Sequence, residues 1–271
     1  MKKGMPSVAA LERGLALLAA VARDEARRSA LDIGQELGLP IATTHRLAAT
    51  LAKGGYLHRV RRGHFVAGPA LLAVSDAISA HAAAAEAARP VLAKLAQRTG
   101  LTAHLGRLEN NMVTYLIKEG DEAGLFTREG IQLEAYCSGI GKVLLAYLPR
   151  EAQAEYLASA PFIALTPRTI TDPDALGQAF DLIRAEGYAV DDEEVVSGLT
   201  CLAVPVPAAR GAVTFAISLS GSGNWPERRR RVPVLIRLQD AALEAAQAMA
   251  PFAALMDVHS AALAEALGSS A

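Results

Sequence analysis

The sequence predicts a two-domain α+β protein, in which a small helical module carrying a β-hairpin precedes a larger unit built on an antiparallel sheet flanked by helices. Three observations predict it. Residues 31–57, LDIGQELGLPIATTHRLAATLAKGGYL, read as two short amphipathic helices around a sharp turn. From Pro90 onward, pairs of strand-like runs are bracketed by helical runs without strict alternation of the two, a pattern that favours an antiparallel sheet. Charge is also unevenly divided: residues 1–75 hold eleven Lys and Arg against five Asp and Glu, so a chain of net charge −1 carries +6 in this segment and −7 in the rest. A chain of 271 residues is near the limit for one core, and a unit of some 75 residues with one of about 175 is the more natural division.

The first element is a helix on which Val8, Leu11, Leu15 and Leu18 recur at helical spacing, giving the motif a third helix to pack on and a dimer contact. In the motif, Leu31, Ile33 and Leu37 share one face of the first helix, and Ile41, Leu47, Ala48 and Leu51 one face of the second, so the two faces can bury against each other. Gly38 supplies a left-handed residue that ends the first helix, and Pro40 stands where the second begins and a missing N–H is harmless. Thr43, Thr44, His45, Arg46 and Thr50 are then left outward, all able to bond phosphates or base edges, on a helix that fits a major groove. Gly54 and Gly55 end it. Residues 56–60 and 64–66 read as two strands around Arg61-Arg62-Gly63, a wing whose Arg59, Arg61 and Arg62 would meet the DNA backbone. The alternative is an αα-hairpin in an all-helical protein, with residues 43–46 as a solvated face. The charge asymmetry favours the nucleic-acid reading, because phosphate neutralisation supplies most of the affinity of such modules. Residues 1–70 are therefore read as a winged helix-turn-helix.

Residues 71–88, LLAVSDAISAHAAAAEAA, contain no Gly or Pro and read as a stiff linker helix that transmits orientation between domains. The second domain spans 89–252. It opens with a helix over 90–98 ended by Gly100, then strands over 102–107 and 112–118 joined at Glu109-Asn110-Asn111. Helices follow over 141–147, 151–159 and 174–186, the last started by Asp172 as cap and Pro173 in the first turn. Strands return over 188–191, 201–206 and 212–220, and a helix over about 229–250 closes the domain. The tail, 253–271, keeps enough apolar residues to suggest a further helix. The four arginines at 228–231 read as a solvated face, with a second nucleic-acid patch as the alternative.

No stretch reaches about 18 uncharged apolar residues, and Met1-Lys2-Lys3 leads into a charged helix rather than an apolar signal region, so a cytoplasmic protein is expected. Two cysteines are too few for a disulfide framework, and the six histidines have no second ligand at i+3 or i+4, so thiols and no metal are expected. No nucleophile, base and orienting group form a set, so no catalytic residue and no cofactor are expected. Ser138-Gly139-Ile140-Gly141 ends an extended stretch and opens a helix, so its N–H groups can receive a carboxylate; an ordinary N-cap by Ser138 is an equal reading of the same residues. Cys201 reads as a buried strand cysteine, the alternative being a reactive thiol, for which no neighbour in sequence supplies a base.

Four stretches carry a resemblance: residues 7–18, Gly38-Leu39-Pro40 with Thr43-Thr44-His45-Arg46-Leu47, Ser138-Gly139-Ile140-Gly141-Lys142, and 187–203 with Gly198-Leu199-Thr200-Cys201. In this order and spacing the chain resembles the IclR family of bacterial transcription regulators from Ser7 to Phe252. The resemblance implies a GAF-like second domain that binds a small carboxylic or aromatic acid as effector. It also implies a dimer or tetramer that represses a catabolic operon at a near-palindromic operator. Carried over by motif, the effector-facing positions are Leu133, Gly139, Ile140, Asp191, Leu199, Cys201, Ser218 and Ser220, with Leu125 and the Ser138 amide added. Ile140 stands where a small residue is frequent, which narrows the entrance, and Asp191 is matched to within one position because Asp192 follows it. An enzyme with a GAF-like catalytic domain and a DNA-binding appendage stays open as the alternative; an architectural DNA-binding protein fits poorly with an acidic second domain.

Overall fold

The computed structural model describes residues 8–77, 80–120, 125–207, 213–222 and 228–253, and the chain divides into two compact units, Met1–Ser79 and Ala80–Ala271. In the first, α1 (Ala9–Asp24), α2 (Ala30–Glu36) and α3 (Ile41–Lys53) precede a hairpin of β1 (Leu57–Arg61) and β2 (His64–Ala67), followed by α4 (Pro69–Ala77). Ser29 and Asp32 start α2 as a capping box, each side chain accepting from the other's amide. Gly38 ends it at φ +68°, where a Cβ would be strained. Gly34 acts by size instead: a Cβ there would lie 2.4 Å from Thr44 Oγ1, so α2 and α3 cross at a distance only glycine permits. The wing turn is tied down by the Ala30 amide donating to Gly63 O at 2.8 Å.

The core of this unit is built on Leu17, Val21, Ile33, Ala48, Leu57 and Phe65. Two seam residues expected inside stand outside, Leu37 at 40% and Ile41 at 69% exposure. The turn is so tight that both lie at its rim, and Leu39 from the turn itself packs on the core instead. α1 likewise packs through Gly14, Leu17, Leu18 and Val21. Of the row expected to pack, only Leu18 does so, and Val8, Leu11 and Leu15 are exposed.

The second unit runs α5 (Ala80–Thr99), β3 (Thr102–Glu109), β4 (Met112–Glu119), β5 (Gln132–Glu134), α6 (Gly139–Ala146), α7 (Arg150–Ala158), α8 (Pro173–Glu186), β6 (Ala189–Asp192), β7 (Leu199–Pro205), β8 (Phe215–Ser222) and α9 (Arg228–Met249), with a 3-10 turn at Ala250–Phe252. Its six strands form one sheet of order β5-β4-β3-β8-β7-β6, antiparallel at every pairing. Because partners directly opposite one another share a face, the register sorts the residues. Leu105, Ile117, Leu202, Ile217 and Leu219 pack with α5 and α9. His104, Asp191, Cys201, Ala203, Ser218 and Ser220 lie on the other face, the side of α6 and α8.

The stretch read as a linker helix over 71–88 contributes to both units, and its residues 78 and 79 lie outside the described residues. Residues through Ala77 belong to α4 of the first unit, whereas α5 starts at Ala80 and runs on through Pro90. Ala84, Ala85 and Ala88 are buried with Leu92 in the sheet core, their small side chains bringing the helix close to the strands. Pro90 is tolerated because it lies on the exposed side, where a bend is convex toward water. Arg89 pins that turn by bonding Glu86, Glu119 and Glu129. The side chains of 228–231 and the tail beyond 253 lie outside the described residues. Among the described residues no helix is long and apolar enough to cross a membrane.

Candidate functional site

On the first unit, α3 presents His45, Arg46 and Thr50 to solvent and Thr43 half-buried. Thr44 is a correction: it is 1% exposed and its hydroxyl donates to Pro40 O at 3.2 Å. It precedes Leu47 and Ala48 by three and four residues, so it shares their inward face and fills the space over Gly34. Thr50 bonds back to Arg46 O at 2.8 Å. In the wing Arg59, Arg61 and Arg62 are exposed, and Arg61 reaches Ala26 O at 3.3 Å. His45, Arg59 and Arg62 line one open crevice between α3 and the wing. Arg28 is taken up by Asp24 and Glu36; among the described residues no acid pairs with Arg46, Arg59, Arg61 or Arg62, which leaves four cations free for phosphate.

In the second unit the start of α6 rests on the sheet. Ser138 caps it, Oγ accepting from the Gly141 amide at 3.2 Å. Gly141 is required, since a Cβ would lie 2.2 Å from Ala135 O. A Cβ on Gly139 would lie 3.3 Å from Ala203 Cβ, 3.5 Å from Cys201 Cβ and 3.8 Å from Asp191 Cβ, which places this helix start directly over β6 and β7. The amides of Gly139 and Ile140 are buried and have no partner among the described residues. Ile140 Cγ2 lies close to Gly106 on β3, 3.2 Å from where a Cβ there would stand. Leu199 is buried at the start of β7, whereas Leu125 and Leu133 are half-buried, Leu133 on β5 at the far edge of the sheet from β6.

Asp191 is 2% exposed, and its Oδ1 accepts from the Glu194 amide at 2.8 Å. Burial pushes its carboxyl up to about 7 against the smaller pull of that amide and of Lys142. Cys201 is the register partner of Asp191 on the neighbouring strand, and its sulfur accepts from Ser220 Oγ at 3.1 Å. Ser220 Oγ lies 3.5 Å from His104 Nδ1, and His104 Nε2 lies 2.9 Å from Thr127 Oγ1. Burial drives the imidazole down to about 3, so it is neutral. Beside this chain Lys142 donates to Val190 O at 2.6 Å and pairs with Glu194 Oε1, both charges buried. Glu194 Oε2 has no partner among the described residues.

The structure thus gathers Gly139, Asp191, Cys201, Ser218 and Ser220 at one place. Sequence reasoning missed His104, Thr127, Lys142 and Glu194. A signal existed for Lys142, the single charge in the apolar run GIGKVLLA, and for His104 in the buried run 102–106; Glu194 carried none. Burial pushes both thiols up, Cys137 to about 12, so neither is a thiolate at neutral pH.

Residues 77–247 match the family model described as bacterial transcriptional regulator IclR C-terminal, and residues 10–61 match the IclR helix-turn-helix domain. The chain is 32% identical to the HTH-type transcriptional regulator XynR of Escherichia coli over 80% of its own length and 87% of that protein's. It is 31% identical to the HTH-type transcriptional repressor AllR of Klebsiella pneumoniae, covering 78% of this chain and 79% of that one. An IclR homologue from Microbacterium hydrocarbonoxydans, solved with 4-hydroxybenzoate, is similar at a TM-score of 0.59 and 25% identity over 90% of this chain and 100% of that one. With a helix-turn-helix unit and an effector-binding unit both matched over most of its length, the chain belongs to the IclR family of bacterial transcriptional regulators.

Proposed function

We propose that the chain is a cytoplasmic repressor of a catabolic operon, released or engaged by a small carboxylic or aromatic acid, without catalytic activity or cofactor. The observation that carries the acid reading is the pair of buried, unpartnered amides of Gly139 and Ile140 at a helix start, a ready receptor for a carboxylate. The 4-hydroxybenzoate held by the Microbacterium homologue supports the same ligand class. Around those amides Leu199 and Leu133 would contact the carbon skeleton, and Ser218, Ser220, Cys201 and Asp191 its remaining polar atoms, with Leu125 and Ile140 at the margin. The buried thiols supply no nucleophile for the enzymatic alternative.

On DNA, His45, Arg46, Thr43 and Thr50 read the groove while Arg59, Arg61 and Arg62 hold the backbone; Thr44 leaves this set. One such helix reads too few base pairs to select a genomic site, so two copies of the chain bind a near-palindrome, as a dimer or a tetramer. Arg46→Ala should cost about 1–3 kcal/mol on the operator, whereas Arg62→Ala should weaken all sequences alike and flatten the salt dependence. Gel-shift titrations at several salt concentrations check both. In the same assay Gly139→Val should abolish the response to acids and leave effector-free operator binding intact. A Gly139→Val protein that still responds to acids, or an Arg46→Ala protein that weakens random and operator DNA equally, overturns the assignment.

A further inference from the structure

Three ionisable side chains are buried together beside the start of α6: Asp191 at 2% exposure, Lys142 at 3% and Glu194 at 4%. One cation therefore faces two acids, and it is already engaged. Lys142 pairs with Glu194 Oε1 and donates to Val190 O at 2.6 Å, and among the described residues Glu194 Oε2 has no partner. With both acids ionised, the group would hold one uncompensated negative charge out of water.

The other groups around Asp191 supply no further cation. Cys201 stands opposite it on β7, and Cys137 before α6 and Tyr115 on β4 lie near enough to act on it electrostatically. Burial pushes all three of these groups up, so each is neutral at pH 7. His104, reached through Ser220, is neutral too. Asp192, the next residue on β6, is exposed and pairs with Arg168. The start of α6 meets the same spot: a Cβ on Gly139 would stand 3.8 Å from Asp191 Cβ. A carboxylate received by the Gly139 and Ile140 amides is thus a second anion beside the Asp191 carboxyl, and two carboxyls side by side out of water do not both stay ionised.

We propose that the effector acid enters this site together with one proton, which Asp191 holds, so that the regulator's affinity for its effector falls as pH rises. This rests on the reading of the Gly139–Asp191 region as the acid site. Solvent gives up the proton and the Asp191 carboxylate takes it, so the net charge of the site is the same before and after the anion arrives. Oδ1 stays with the Glu194 amide at 2.8 Å, which leaves Oδ2 to carry the hydrogen and to donate it to an oxygen of the acid. In the free protein Asp191 titrates at about 7. Below that pH the proton is already in place and affinity for an anionic acid is flat; above it each pH unit weakens binding about tenfold.

Calorimetry of the full chain with benzoate and with pyruvate, each in two buffers of different ionisation enthalpy, counts the protons taken up on binding. The wild type should take up about one proton per acid at about pH 8.5 and almost none at about pH 5.5, with affinity about 30-fold lower at the higher pH. Asp191→Asn should take up none at either pH and should hold its own affinity constant between them to within about twofold. Asp191→Ser carries the same comparison should the asparagine variant fail to fold. Wild-type binding without proton uptake at the higher pH, or a variant at Asp191 that still takes up a proton there, overturns the inference and leaves the acid site standing. Gly139→Val separates the two readings: if it binds both acids like the wild type, or if the wild type binds neither, the acid site itself is wrong and the inference falls with it.

Discussion

Replacing Asp191 by asparagine should make the second unit progressively more stable than the wild type as pH rises, the reverse of what loss of a native acid does at most positions. In the folded chain the carboxyl titrates near 7, against an ordinary value of 3.8. A group raised in this way binds its proton more tightly in the folded state, so its contribution is fully present below pH 3.8 and is lost as pH rises through 7. At about 1.4 kcal/mol per unit, the whole loss is about 4 kcal/mol, and roughly 3 kcal/mol of it falls between pH 5 and pH 8.5. The groups that face Asp191 are the Glu194 amide, the Cys201 thiol, Lys142 and the Glu194 carboxylate, and burial outweighs their net pull. Asparagine keeps an oxygen for the Glu194 amide and never ionises. Urea unfolding followed by circular dichroism at both pH values gives the comparison, and taking variant against wild type cancels every other titrating group. Across that range the stability gap should move about 3 kcal/mol in favour of the Asp191→Asn protein. A gap that stays constant with pH, or that moves in favour of the wild type by pH 8.5, refutes the argument that this carboxyl is held protonated by burial.

Lys142→Met should cost about 3–5 kcal/mol, since it strands the Glu194 carboxylate at 4% exposure without a counter-charge, and Lys142→Met with Glu194→Gln should recover much of that in the same unfolding assay. Gly34→Ala should destabilise the first unit by about 1–3 kcal/mol, although alanine is the better helix former, because its Cβ must displace Thr44 and part α2 from α3. Thermal denaturation checks it, and an unchanged or raised midpoint would show that the crossing is not as close as described.

The elements of the first unit were legible because their signals are local: a left-handed glycine, a helix-starting proline and an apolar row each act within four residues. What failed there was rotational phase. On a seven-residue helix such as α2, a 3.6-residue period fits more than one face, and the choice between Leu37 outward and Gly34 inward is made by the close crossing with Thr44, which involves a second helix. α5 failed for a related reason. Pro90 reads as a boundary in sequence, and only its position on the solvent side of a helix docked on a sheet explains why it is not one. β5 has three residues and carries no period of its own. In the second unit the turn glycines and the Ser138 cap were readable, but His104 looks like an ordinary core residue until the pairing of β3 with β8 sets it beside Ser218 and Ser220, and Glu194 like a surface residue until it meets Lys142 of α6.

The two faces of the sheet divide the work of folding and of recognition. One is apolar and packed by α5 and α9 through Leu92, Leu105, Ile217 and Leu238, and burial of that kind stabilises in proportion to area. The other holds the Asp191 carboxyl and the Lys142–Glu194 ion pair, whose Glu194 Oε2 has no partner among the described residues, and each costs stability relative to an apolar residue of the same size. Such costs persist at sites where local rules are broken for a function. They also make the second unit responsive. On the proposed reading, a ligand that occupies the Gly139 and Ile140 amides offsets part of those costs, and binding at ~100 times its dissociation constant adds about 2.7 kcal/mol to native stability. The arrangement of the unit that holds the ligand best is then favoured by the difference in affinity between arrangements, and a difference of about 1–3 kcal/mol alters occupancy of a coupled site about 5- to 150-fold. On the proposed reading, the polar face under a single short helix is what lets an effector act on this domain, while the apolar face under α5 and α9 holds the fold.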